Sequence, residues 1–135
     1  MDLQLKESLL RDAVQAAANA YAPYSHFRVG AAVLTASGQV FTGCNVESAS
    51  YGLALCAERT ALANAVSHGE REFVALALAC IDAAPGHQSS ETMPCGACRQ
   101  WIQELAPEAE ILVAGVEGTF RIEDLLPHAF RLGPR

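Results

Sequence analysis

The sequence predicts an α/β protein, with helices packed by crossover connections on one central sheet. Two unbroken apolar runs, "FVALALACI" (73–81) and "EILVAGV" (110–116), have the composition of strands covered on both faces. Stretches of helical spacing lie before, between and after them, and such alternation of strand and helix means crossovers on a shared sheet.

The elements follow in order. Leu5, Leu9, Ala13, Ala16 and Ala20 recur at helical spacing after Asp2, a candidate N-cap, and Pro23 closes the segment. "RVGAAVLTASGQVFTGCNV" (28–46) reads as two strands of a hairpin joined at Ser37-Gly38. "LCAERTALANAVSHG" (55–69) reads as a helix with Leu62, Ala65 and Val66 inward and Gly69 as its stop. After the strand at 73–81, "AAPGHQSSETMP" is a loop by composition. "CGACRQWIQELA" then reads as a helix, 110–116 as a second buried strand, and "IEDLLPHAF" as a short helix. No repeat, low-complexity tract or linker interrupts the 135 residues, so one domain over 1–135 is expected.

Composition excludes several functions. Nine Lys and Arg against fifteen Asp and Glu give a net charge of −6, and no basic stripe is present to hold a phosphate backbone. A nucleic-acid partner is therefore not expected, nor is a membrane, since no apolar run approaches the roughly 20 residues a spanning helix needs. "MDLQLKESLLRD" lacks the basic start and apolar run of a signal peptide, so a cytoplasmic protein is expected. The five cysteines, Cys44, Cys56, Cys80, Cys95 and Cys98, are an odd number, which favours metal or catalytic use over a disulfide framework.

"TMPCGACRQW" (92–101) holds Cys95 and Cys98 in a C-x-x-C pair that alone suits a redox dithiol, a structural zinc site or a catalytic metal site. "CAERTA" (56–61) narrows the choice. Cys56 and the pair fall at the starts of two predicted helices, where unpaired N–H groups favour thiolates. A strand between those helices brings both N-termini to one sheet edge. Three thiolates would then leave the fourth position of a tetrahedral zinc open for water. Glu58, in the first turn after Cys56, is placed to exchange protons with that water without being a ligand. A structural site needs a fourth ligand. Cys44, Cys80, His26, His68 and His87 are candidates, but none repeats a paired-ligand spacing. Three thiolates also call for a compensating cation, for which Arg59 is preferred over Arg99.

C-x-E paired with P-C-x-x-C is the signature of zinc deaminases. "YAPYSHFRVGAAV", "GCNVESASY", "CAERTA" and "PCGACRQ" occur in the order and at the spacing of one group of these enzymes. From about Tyr21 to Phe130 the chain resembles the small, homotetrameric cytidine deaminases of the cytidine and deoxycytidylate deaminase superfamily. The resemblance implies a three-layer α/β/α fold with a mixed sheet of about five strands and one Zn2+ per chain on Cys56, Cys95 and Cys98. It implies hydrolysis of the amino group of cytidine and 2'-deoxycytidine, with ammonia released and Glu58 carrying the protons. It places Phe27 near the base, Asn45 and Glu47 on the ribose, Ala57 among the substrate contacts, and Arg59 on the thiolates.

Such enzymes complete each pocket from neighbouring subunits, for which Tyr51 and Phe130 are the candidates in a homotetramer. The same chemistry on another aminopyrimidine nucleoside, such as blasticidin S, is the nearest alternative, and a non-catalytic zinc protein the alternative from another class. Ser48 and His128 depart from the resemblance, standing where Asn and Gly are common. They bear on hydrogen bonding behind the ribose and on the fit of the tail at subunit contacts.

Overall fold

The computed structural model describes residues 1–84 and 91–133. Strands β1 (Val29–Thr35), β2 (Val40–Cys44), β3 (Phe73–Cys80) and β4 (Glu110–Val113) form one sheet in the order β2-β1-β3-β4. β1 is antiparallel to both of its neighbours, and β4 runs parallel to β3. Helices α1 (Leu3–Ala17), α2 (Ala57–Ser67), α3 (Gly96–Leu105) and the short α4 (Ile122–Leu125) complete the frame.

Side-chain alternation divides the sheet into two faces. Ala32, Leu34, Ala75, Ala77, Ala79 and Leu112 meet Leu9 and Ala13 of α1 on one face. Ala31, Val33, Leu76, Leu78, Ile111 and Val113 meet Ala57, Ala61, Leu62 and Ala65 of α2, Ile102 of α3 and Ile122 of α4 on the other. The result is the expected three-layer α/β/α arrangement, with every residue from Ala75 to Ala79 covered on its own side.

Among the described residues the sheet has four strands rather than about five. After β4 the chain turns through Gly115 and Gly118, both at positive φ, and returns to make a single bridge between Phe120 and Ile111. Two hydrogen bonds hold that bridge, and no ladder extends from it. The first helix also ends earlier than expected, at Ala17, so Ala20 lies in the turn that follows. Its start is as read, with Asp2 Oδ1 accepting from Leu5 N at 2.8 Å. Gly69, at φ 93°, follows α2 as its stop. Among the described residues no helix is long and apolar enough to cross a membrane.

The crossovers set the position of everything below. β2 and β3 are parallel to each other across β1, and α2 and α3 follow them onto the same face. Right-handed connections proceeding in one direction across a sheet have this consequence. Both helices therefore begin at one sheet edge, where ligands gather in open α/β folds.

Glycines let the layers approach. A Cβ on Gly30 of β1 would stand 1.9 Å from the Ala13 carbonyl oxygen and 2.5 Å from the Ala17 nitrogen, both backbone atoms of α1. Gly30→Ala is accordingly expected to cost about 3 kcal/mol, at the upper end for overpacking. Gly52→Ala, which points into open space, serves as the control in thermal denaturation and should change the midpoint little.

Candidate metal centre and pocket

Cys56 and Cys95 are the N-cap residues of α2 and α3, and neither side chain caps its helix. The thiols are thus free for other partners. Cys98 lies buried in the first turn of α3. The sulfurs of Cys56, Cys95 and Cys98 all lie within 4.8 Å of one another, and those of Cys56 and Cys95 are 3.6 Å apart. Sulfurs around a tetrahedral zinc, with Zn–S of about 2.3 Å, lie about 3.8 Å apart. The cluster therefore fits one zinc ion.

Its electrostatics suit a cation. Hydrogen bonding from Cys98, aided by Arg59, pulls the Cys56 thiol down to about 5. Cys98 is pushed up by its bond to Cys56 and by burial, so one proton is held between the two. A dication among them favours the thiolate at every position. Arg59 Nη2 reaches Cys56 Sγ at 3.5 Å and the Ala54 carbonyl at 3.4 Å. Arg99 is occupied elsewhere, donating from Nε to the Pro94 carbonyl at 2.7 Å and from Nη1 to the Leu125 carbonyl at 2.8 Å. The sulfur-facing cation is Arg59.

Of the other cysteines and histidines, none joins the thiol cluster among the described residues. Cys80 is half-buried, and burial with the charges of Glu58 and Glu91 pushes its thiol up to about 12. Cys44 ends β2 opposite Gly30. His68 packs its ring against Phe41 at 5.1 Å, and His26 occupies the left-handed region at φ 56°. His87 lies outside the described residues.

A cavity of about 360 Å³ adjoins the cluster, of the size small-ligand pockets take. Cys56, Cys95, Glu58 and Arg59 line it, as do Phe27, Asn45, Glu47, Tyr51 and Ala57. Glu58 is only 3 % exposed; burial, with the charge of Cys56 behind it, pushes its carboxyl up to about 7. Ala57 is the first residue of α2, so its N–H has no partner within the helix.

Asn45 and Glu47 hold the pocket wall itself. Asn45 Oδ1 accepts from Val29 N and its Nδ2 donates to the Phe27 carbonyl, both at 2.8 Å. Each end of that amide retains capacity for one more bond. Glu47 accepts from Tyr24 N at 3.0 Å, from Ser25 N at 3.1 Å and from the Ser25 hydroxyl. These bonds, the hydroxyl first, lower its carboxyl below the ordinary range. Ser48 Oγ accepts from Ser50 N at 3.1 Å, local turn chemistry behind that wall. Phe130 lies outside this pocket; it is 69 % exposed, on a tail whose carbonyl at 130 accepts from Gln100. His128 is also exposed on that tail.

Sequence reasoning missed part of the lining. Val29, Leu78, Cys80 and Met93 also face the cavity. Val29 and Leu78 read as strand core, Met93 fell in a segment read as loop, and Cys80 was weighed only as a spare metal ligand, so no local signal marked them as pocket residues. Only their position at the helix-bearing edge of the sheet does so.

Residues 3–116 match the family model of the cytidine and deoxycytidylate deaminase zinc-binding region. The chain is 43 % identical over 129 residues to a cytidine deaminase of Halalkalibacterium halodurans, covering 93 % of each chain. It is 50 % identical over 121 residues to a cytidine deaminase of Mycobacterium tuberculosis, covering 90 % of this chain and 86 % of that one. A crystal structure of cytidine deaminase from Burkholderia pseudomallei superposes with a TM-score of 0.81 at 44 % identity, covering 96 % of this chain and 100 % of that one. The fold, the thiol cluster and these similarities lead to one assignment: the chain belongs to the cytidine and deoxycytidylate deaminase zinc-binding family.

Proposed function

We propose that this single domain is a zinc-dependent hydrolase that deaminates cytidine and 2'-deoxycytidine to uridine and 2'-deoxyuridine, releasing ammonia. One observation carries the reading. A buried carboxylate, Glu58, lines the same cavity as three thiols close enough to share one metal. The cytidine deaminases of similar sequence support the substrate.

Cys56, Cys95 and Cys98 are the ligands. The zinc they hold supplies a Lewis acid that makes water nucleophilic near neutral pH. Glu58 carries the first proton of the attacking water to ring N3. It then carries the second, from the hydroxyl formed at C4, to the amine as the C4–N bond breaks, leaving the C4 carbonyl and ammonia. A carboxyl lifted toward neutrality suits both tasks, because it accepts and donates at little cost. Arg59 offsets thiolate charge. Phe27 packs against the base, while Asn45 uses its remaining amide capacity and Glu47 its carboxylate on the ribose. Glu47 also repels a nearby phosphate and so favours nucleoside over nucleotide.

Exposed apolar groups around the pocket side and on the tail, Tyr51 at 85 %, Leu53 at 73 % and Phe130 at 69 %, support association into a homotetramer. In it Phe130, and Tyr51 beyond its place at its own pocket, complete the sites of neighbours. The working location is the cytoplasm.

Glu58→Gln should keep about one zinc per chain while deamination of cytidine, read as ammonia release, falls at least ~10²-fold. Metal loss in that variant would make Glu58 a ligand and overturn its role as proton carrier. Cys98→Ala should abolish stoichiometric zinc and lower the thermal midpoint, as chelation does with the unaltered chain. The kcat/KM profile should have an acid limb, because protonated Glu58 cannot accept the water proton. Burial lifts that carboxyl to about 7 from 4.5 and a bound cation lowers it again, so the limb should fall between those values.

A further inference from the structure

The ladder between β1 and β3 ends at the pair Val29 and Cys80, and both residues line the pocket. Just beyond it, Asp82 takes three bonds from one residue. Its Oδ2 accepts from Arg28 N at 2.8 Å and from Arg28 Nε at 2.9 Å, and its Oδ1 accepts from Arg28 Nη2 at 2.8 Å. Ile81 N donates to the Arg28 carbonyl at 3.2 Å. Neither Arg28 nor Asp82 lines the cavity. Their side chains are 48 % and 25 % exposed, and such surface pairs contribute little to overall stability. A bidentate fork joined to a backbone bond instead fixes direction.

What it fixes is the approach of Phe27. Phe27 N donates to Ser25 Oγ at 3.0 Å, and the Phe27 carbonyl and Val29 N are taken by Asn45. Along 27–29 these backbone groups and Arg28 N are thus held by the side chains of Ser25, Asn45 and Asp82. His26 just upstream occupies the left-handed region, which a non-glycine side chain leaves readily when its supports are lost.

We propose that Arg28 and Asp82 form a clamp that holds Phe27 against the pocket and thereby sets affinity for the nucleoside base. They are positioning residues acting through Phe27, outside the cavity lining, and the inference rests on the nucleoside reading above. The Arg28 guanidinium holds the Asp82 carboxyl down to about 2, so the clamp is intact across the neutral range.

The test compares Arg28→Ala, Arg28→Lys, Asp82→Ala and the double alanine variant with the zinc-loaded parent on cytidine. KM should rise roughly 5-fold in each single alanine variant with kcat and zinc content nearly unchanged, the signature of lost ground-state binding. Arg28→Lys should fall between parent and alanine. The double variant should be no worse than either single one, because the residues act as a unit. Amide exchange over 25–29 should quicken in Asp82→Ala. Unchanged KM in both single alanine variants, or a fall in kcat with zinc loss, overturns the clamp. A parent that fails to deaminate cytidine overturns the nucleoside reading instead. The clamp is then judged by exchange alone, and unaltered exchange in Asp82→Ala refutes it.

Discussion

The site depends on a constraint of chain topology. β2 and β3 run parallel across an intervening β1, and the helices that follow them lie on one face. Their N-termini must then open at the same sheet edge. Residues some forty positions apart, Cys56 and Cys95, meet there at 3.6 Å because each is the N-cap of its helix. Asn45 and Glu47 leave β2 at that edge, and Cys80 ends β3 there. Small residues make the approach possible. A Cβ on Gly43 of β2 would stand 2.4 Å from the Ala61 nitrogen of α2.

Burial sets the chemistry in that corner. A carboxyl that is 3 % exposed resists ionisation, while the thiol two residues before it is drawn toward the thiolate. The two shifts oppose each other within one helical turn. Perturbed groups of this kind in a cavity point to function rather than to stability. Arg59 supplies the one cationic contact to sulfur among the described bonds.

Much of this was legible in the sequence. The hairpin, α2, β3, α3 and β4 carry plain periodicity or unbroken apolar runs, and the cysteine spacings stand out against an odd total. The four strands were legible as the hairpin pair and the two apolar runs. The count of about five came only with the family resemblance, and after β4 the chain turns at two glycines and pairs just once, at Phe120. The early end of α1 was not legible, because alanine continues its pattern past Ala17 into the turn. The structural use of Asn45 and Glu47 escaped as well. A motif names residue types, whereas their bonds to Val29, Phe27 and Ser25 arise from a fold that brings the segment after β2 beside the one before β1.

The central claim is that three thiolates hold zinc and leave a position open beside Glu58. X-ray absorption at the zinc edge of the protein with one zinc bound per chain tests it most directly. Three sulfur neighbours at about 2.3 Å with one lighter oxygen neighbour at about 2.0 Å are the predicted result. Four sulfur neighbours would mean a closed structural site recruiting Cys44 or Cys80, and would contradict the account.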